Sequence, residues 1–381
     1  MKLNAFQFQD KSRQWKLDKT SFDKLTLLVG ASGVGKTQIL RAIYALKEIS
    51  MGESMNGAVW NVDFTATNGD KFQWLGAFEK KEITIFDSDE DDSVEKTSKI
   101  LYEKIFKNGT LLVNRDKDKI EFKGNETIKL TREKSLLNHL EEDFVSEMKN
   151  EMAKIHMSDH SDSQIEPFRI NFFNANKLSK KYNTLKKIRQ SELDIKVKLY
   201  LAYKVEKKTF NLIKERFIDI FPQIENLKIE PIDFHDEDVP AFMEEYPFIQ
   251  IKEKGVSNWV HQNKISSGMF RSLLHISELY LSAEGTLFLI DEFENSLGIN
   301  CIDELTSDIL QSRRELQFIL TSHHPYIINS INLKFWKLVT RNGGIVKTHD
   351  ATKFNLGKSK HDAFMQLLQL EEYQTGSTII A

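Results

Sequence analysis

The sequence predicts an α/β fold: a mixed sheet with flanking helices around a phosphate-binding loop, an antiparallel β subdomain and a helical insertion. Three observations predict it. Gly30-Ala31-Ser32-Gly33-Val34-Gly35-Lys36-Thr37 matches the P-loop pattern G-x-x-x-x-G-K-[ST] and sits between a strand pattern and a helix pattern. Thr286-Leu287-Phe288-Leu289-Ile290-Asp291-Glu292 is an apolar strand that ends in two carboxylates. Between these two motifs the apolar period changes from two residues to the helical repeat.

The elements follow in order. Leu25-Thr26-Leu27-Leu28-Val29 reads as a buried strand, and Thr37 to Ile43 as the first turns of a helix. Residues 57–86 alternate apolar and polar positions through Val59, Val62, Phe64, Phe72, Trp74 and Ile83-Thr84-Ile85-Phe86, with a turn at Asn68-Gly69-Asp70. Asp87 to Glu95 is an acidic run, read as a solvated loop because nothing imposes ligand geometry. Residues 110–130 alternate again. From Glu133, Leu136, Leu137, Leu140, Phe144, Val145, Met148, Met152 and Ile155 fall at helical spacing. His156, Asp159, His160 and Asp162 could bind a metal, but without a H-E-x-x-H pattern or a Cys partner a loop is the better reading. Arg169 to Phe173 reads as a strand. Residues 177–221 read as a long lysine-rich helical region that Pro222 ends, and 224–232 and 248–251 as strands. Lys180, Lys181, Lys186, Lys187 and Arg189 are a solvated face or a contact to nucleic acid or an acidic partner. Three segments result: 1–132 with the P-loop and β subdomain, 133–221 as the helical insertion, and 222–381.

Composition bounds the function. The 381 residues are 40% hydrophobic and 29% charged, with a net charge of −3, so no global basic field advertises nucleic acid, although a local one remains open. No run approaches the ~18 apolar residues of a membrane span. The N-terminus lacks the apolar core of a signal peptide. Cys301 is the single cysteine, so no intramolecular disulfide forms, which suits a reducing cytosol and predicts a cytoplasmic protein without membrane association.

The P-loop residues Gly30, Ala31, Ser32, Gly33, Val34, Gly35, Lys36, Thr37 and the following Gln38 are candidate ATP ligands. The glycines let consecutive N–H groups turn onto a phosphate, and the helix N-terminus points its partial positive charge at the same place. Lys36 would reach the β- and γ-phosphates and Thr37 would place its hydroxyl on Mg²⁺. The plain alternative is a glycine turn with a chance lysine. Asp291 would hold Mg²⁺ and Glu292 would polarise the attacking water. Ser266, Ser267 and Gly268 precede a helix pattern. A serine hydroxyl with helix N-terminal amides makes an anion site, and alone it is an ordinary N-cap. Phe318 to Thr321 runs as a strand into Ser322-His323-His324-Pro325.

The order P-loop, Ser-Ser-Gly, acidic strand end, Glu294-Asn295-Ser296-Leu297 and strand-histidine resembles that of ABC-type ATPases, often called AAA or AAA-like ATP-binding proteins and kin to the SMC and OLD groups. The likeness covers residues 25–45 and 262–330, with Phe221 to Leu227 similar to a stretch common in that group. It implies a P-loop ATPase head. Ser266, Ser267 and Gly268 take the place of the signature that caps the γ-phosphate of a second subunit. Glu294 to Leu297 fit the D-loop, and His323, with His324 as competitor, takes the switch position. Phe293 stands where proline is usual, and Gly298 where histidine is frequent. No clear Q-loop is visible; Gln73 is a candidate. Trp15 could stack on adenine, but burial in a strand is the better reading.

The resemblance implies an ATP- and Mg²⁺-dependent ATPase that dimerises, or forms a higher oligomer, head to tail around ATP. It also implies regulation of a separate effector, a nuclease, in bacterial anti-phage defence, as in the Septu and PARIS ATPase subunits, with nucleic acid as a further partner. The alternative is a RecF- or SMC-like DNA-repair ATPase. A transporter subunit fits less well, because about 230 residues separate Lys36 from Gly268, and the helices are too short for a full SMC arm. Too few residues follow His323 for a fused OLD-type nuclease domain.

Overall fold

The computed structural model describes residues 1–82, 97–158, 172–231, 246–295, 299–311, 313–354, 356–357 and 360–377. The elements, in chain order, are β1 (Lys2–Asp10), β2 (Trp15–Ser21), β3 (Leu25–Val29), α1 (Lys36–Met51), β4 (Ala58–Thr65), β5 (Lys71–Phe78), β6 (Ile100–Lys107), β7 (Thr110–Arg115), β8 (Ile120–Phe122), β9 (Asn125–Thr127), α2 (Asp143–Ala153) and β10 (Ile155–Met157). There follow α3 (Phe172–Lys181), α4 (Leu185–Gln190), α5 (Ile195–Val205), α6 (Lys207–Ile220), β11 (Ile224–Glu230), β12 (Phe248–Glu253), β13 (Trp259–His261), α7 (Ser267–Leu281), β14 (Leu287–Ile290) and α8 (Ile299–Gln311). The chain finishes with β15 (Gln317–Thr321), α9 (Pro325–Ser330), β16 (Trp336–Asn342), β17 (Ile345–Asp350), α10 (Lys360–Gln369) and α11 (Glu371–Thr375).

Two compact units emerge. The first joins Met1–Ser158, Gly285–Phe293 and Arg314–Ala381; the second joins Asp159–Glu284 and Glu294–Arg313. The first contains one mixed sheet in the order β10-β14-β15-β3-β16-β17-β2-β1-β4-β5-β6-β7-β8-β9. Its parallel centre consists of strands buried on both faces. Every residue of β3, β14 and β15 is buried, and such strands read as continuous apolar runs. Its antiparallel half keeps the two-residue period: Ala58, Trp60, Val62 and Phe64 of β4 point into the core while their neighbours are half-exposed. Helix α1 buries Ile39, Leu40, Ile43, Leu46 and Ile49 at helical spacing and stops at Gly52, which adopts φ 106°.

Several local readings come out differently. The helical stretch expected over 133–156 resolves into a short 3-10 turn, α2 and the parallel strand β10, which pairs Ile155 with Leu287. Short apolar runs of this kind carry too few periods to separate strand from helix. Strand β6 fills a segment for which the sequence pattern predicts no element. The expected strand at 169–173 has residues 169–171 outside the described residues, and Phe172–Phe173 open α3 instead. The third strand at 83–86 and the acidic run 87–95 also lie outside the described residues.

In the second unit the region 177–221 is four helices, α3 to α6, with α6 ending two residues before Pro222. A separate antiparallel sheet runs β11-β12-β13. Arg216 of α6 ties α8 by ion pairs to Glu304 (2.6 Å) and Asp308 (2.7 Å), and these carboxylates hold its guanidinium pKa above its ordinary value. Lys180, Lys181, Lys186 and Lys187 are exposed, whereas Arg189 is half-buried and donates from Nε to the Tyr280 carbonyl at 2.8 Å. No described helix is long and apolar enough to cross a membrane.

Candidate functional site

Strand order builds the site. β14, β15 and β3 are adjacent and parallel, with Ile290 opposite Leu320 and Thr321 opposite Leu28. Their C-terminal ends therefore share one edge of the sheet, where ligands of open α/β sheets bind. β3 delivers the P-loop, β14 delivers Asp291 and Glu292, and β15 delivers Ser322 and His323. With β15 between them, β3 and β14 stand about 10 Å apart, two strand spacings.

The P-loop requires its glycines. Gly30 adopts φ +150°, and a Cβ there would lie 2.6 Å from the Val339 carbonyl oxygen of the neighbouring β16. Gly35 is the N-cap of α1 at φ 105°, a left-handed conformation that costs other residues more. Lys36 is buried, and its Nζ donates to the carbonyls of Gly30 at 2.9 Å and Ala31 at 2.8 Å, so the lysine folds back across its own loop. Thr37 and Gln38 are half-buried in the first turn of α1. Gln38 Oε1 and the indole Nε1 of Trp15 are both buried without a hydrogen-bond partner, and both lie beside Gly35. Trp15 is a core residue 6.0 Å from Phe8, so its ring is not presented to a base.

Across the edge, Asp291 is half-buried and Glu292 is exposed. Glu292 has φ +46°, a left-handed conformation that costs a residue with a side chain about 1–3 kcal/mol. Thr321 holds this corner: its hydroxyl donates to Asp291 Oδ1 at 2.6 Å and accepts from the Glu292 N–H at 2.8 Å. His323 is exposed. His324 accepts from the Tyr326 N–H at 3.2 Å through Nδ1 and so caps α9, which commits that ring to a structural task. The Thr37 hydroxyl and the Asp291 carboxylate are an all-oxygen pair, the donor chemistry that Mg²⁺ takes.

Ser266, Ser267 and Gly268 belong to the second unit. Ser266 is the N-cap of α7, accepting from the Met269 N–H at 3.3 Å, and Ser267 is exposed on the first turn. Arg271 of the same helix donates to the carbonyl of Asn295, in the expected D-loop, at 2.9 Å. Ser296 to Gly298 lie outside the described residues. Gln73 sits within β5 and donates to Asn61 across the sheet at 3.1 Å. His156 packs edge-on against Phe288, and Asp159, His160 and Asp162 lie outside the described residues. Among the described residues no cluster of His, Cys, Asp and Glu is arranged to hold a metal ion.

Sequence patterns do not reveal three residues of this region, one beside Asp291 and two beside the loop. Thr321 reads only as part of a strand. Arg341 of β16 donates to the Gly33 carbonyl at 3.4 Å and to the Gly343 carbonyl at 2.8 Å. Gly376 approaches Val34 and Ala31, and its carbonyl accepts from the Arg341 N–H at 2.6 Å. The last two come from more than 300 positions along the chain, and only the sheet order that puts β16 beside β3 makes them neighbours.

Comparison with known proteins adds a family. Residues 25–329 match the family described as "AAA domain, putative AbiEii toxin, Type IV TA system". No curated protein sequence matches the chain. Among solved structures, an SMC head bound to the C-winged helix domain of ScpA aligns at 15% identity and TM-score 0.48, covering 92% of this chain and 97% of that one. The SMC head domain from Thermotoga maritima aligns at 12% identity and TM-score 0.44, covering 92% and 99%. An Smc head with an extended coiled coil, bound to the C-terminal domain of ScpA derived from Pyrococcus furiosus, gives 13% and 0.44, covering 97% and 98%.

Proposed function

The chain belongs to the AbiEii-type AAA domain family, and on that premise we propose that it binds and hydrolyses ATP at the edge formed by β3, β14 and β15, closes into a dimer around the nucleotide, and through that cycle controls a separate effector, a nuclease, in bacterial anti-phage defence. The geometry of three adjacent parallel strands carries the ATPase part. They bring Lys36 and Thr37, Asp291 and Glu292, and His323 to one sheet edge.

In this reading the loop amides of residues 30–37 and the N-terminus of α1 bind the phosphates. Lys36 leaves the carbonyls of Gly30 and Ala31 for the β- and γ-phosphates. Thr37 and Asp291 hold Mg²⁺, which when bound offsets the phosphate charge. Glu292 orients the attacking water, and His323 contacts the γ-phosphate. Gln38 stays a nucleotide-side residue, its buried Oε1 still needing a donor. Ser266, Ser267 and Gly268 of a second copy cap the γ-phosphate with the α7 N-terminus.

Lys36→Ala tests the nucleotide site. It is expected to abolish binding of a fluorescent ATP analogue while the melting temperature stays near that of the wild type. Wild-type affinity in this variant would remove the P-loop from the reaction. Pull-down of the full chain from its native cell tests the effector, with a nuclease subunit retained or released according to nucleotide; recovery of a permease would point to transport instead.

A further inference from the structure

We propose that Thr321 is the positioning residue of the hydrolytic corner, fixing both the Asp291 carboxylate and the backbone that aims Glu292. The proposal rests on the ATPase reading above and adds a residue to it. Thr321 closes β15 and is 1% exposed. Three hydrogen bonds join it to three consecutive residues of the neighbouring strand end. Its hydroxyl donates to Asp291 Oδ1 (2.6 Å), the same oxygen accepts from the Glu292 N–H (2.8 Å), and its carbonyl accepts from the Phe293 N–H (3.0 Å).

The hydroxyl has one proton, so these bonds fix its direction. Because the oxygen accepts from Glu292, the proton faces Asp291, and Asp291 Oδ1 must act as an acceptor. One carboxylate oxygen is thereby held, and the other has no hydrogen-bond partner among the described residues. A carboxylate so anchored presents that second oxygen in a set direction, which is how outer-shell partners orient metal ligands. The bond to the Glu292 N–H serves a second purpose. Glu292 is one of four described residues other than glycine with positive φ, and it is the only one of them in this site. A left-handed residue at the end of a strand swings its side chain away from the path of the strand, and such a conformation persists only where its surroundings over-determine it. The Thr321 hydroxyl below the Glu292 amide and the Thr321 carbonyl below the next amide provide that restraint. Serine would keep the hydroxyl, whereas valine would fill the same buried volume without it.

Two variants and two readouts test this. In Thr321→Val, the Mg²⁺ concentration that gives half-maximal tightening of a fluorescent ATP analogue is expected to rise about 10–100-fold, with kcat falling by a similar factor. The KM for ATP is expected to stay within about 3-fold, because the P-loop supplies most of the ground-state binding. Thr321→Ser is expected to restore both quantities to within about 3-fold of the wild type. Thr321→Ala, which cannot overpack, gives the same reading should the valine variant unfold. A valine or alanine variant with wild-type Mg²⁺ dependence and kcat overturns the positioning role. Equal losses in the serine and valine variants also overturn it, since they would trace to packing. If the wild type itself shows no Mg²⁺-dependent ATP binding, the ATPase reading fails, and this inference fails with it.

Discussion

Gly30 shows how little freedom the P-loop has. Its φ of +150° and the 2.6 Å from a would-be Cβ to the Val339 carbonyl mean that any side chain must displace the backbone of β16. Gly30→Ala is expected to destabilise the protein by about 1–3 kcal/mol and to weaken ATP binding, because the same shift moves the carbonyl that holds Lys36. Urea unfolding and nucleotide titration check the two effects, and a variant unchanged in both would mean that the loop is looser than its contacts imply. Lys36, Thr37, Asp291, Glu292 and His323 are the proposed site residues that short sequence motifs mark, and the strand order explains why such distant motifs share one sheet edge. Thr321 could not be named. A threonine at the end of an apolar strand is ordinary, and the positioning role proposed for it arises only from the register that sets it beside Asp291. Of the two histidines after β15, His324 caps α9 through its bond from the Tyr326 N–H, a contact between folded elements that no sequence motif marks, and His323 is the one proposed for the γ-phosphate.

At the scale of elements, β6 and the segment behind it were the hardest to read. Tyr102-Glu103-Lys104 looks polar, yet Glu103 is fully buried. Its carboxylate accepts from Trp74 Nε1 of β5 (2.9 Å), from Ser135 Oγ (2.5 Å) and from the Leu136 N–H (2.8 Å), and it lies 3.8 Å from the Arg115 guanidinium of β7. Burial holds that guanidinium below its ordinary pKa, against the opposing pull of Glu103. This network joins three strands to the 3-10 turn before α2, and it interrupts the helical pattern expected over 133–156. Its partners lie up to 33 positions from Glu103, so no local pattern encodes it. Glu103→Ala strands an indole N–H, a backbone N–H, a hydroxyl and a buried guanidinium. It is expected to cost about 3–5 kcal/mol, read as a lower urea midpoint, whereas Glu126→Ala on exposed β9 is expected to change the midpoint little. Equal effects from the two would deny the network its role. The central strands β3, β14 and β15, by contrast, were legible because strands buried on both faces must be apolar throughout.

For the whole molecule, pH acts on both units. Burial lowers the pKa of His139 and His349 in the first unit and of His261 in the second below the usual 6.5. The unfolded chain therefore takes up protons before the folded one does as pH falls. The stability these neutral imidazoles preserve is complete above pH ~6.5 and declines below it until the folded-state pKa values are reached. The urea midpoint is expected to be lower at pH 5.5 than at pH 7.5, and a midpoint that rises on acidification would contradict those shifts. The larger claim concerns a second copy of the chain, because the proposed site is complete only when Ser266, Ser267 and Gly268 come from a partner. The most direct test is the mass in solution of Glu292→Gln, which should bind ATP but turn it over slowly. By light scattering with Mg²⁺ and ATP, the account predicts about twice the 44.3 kDa of one chain, returning to a single chain when Lys36→Ala or a bulky replacement of Ser267 is added. A Glu292→Gln protein that stays at 44.3 kDa with ATP bound would contradict it.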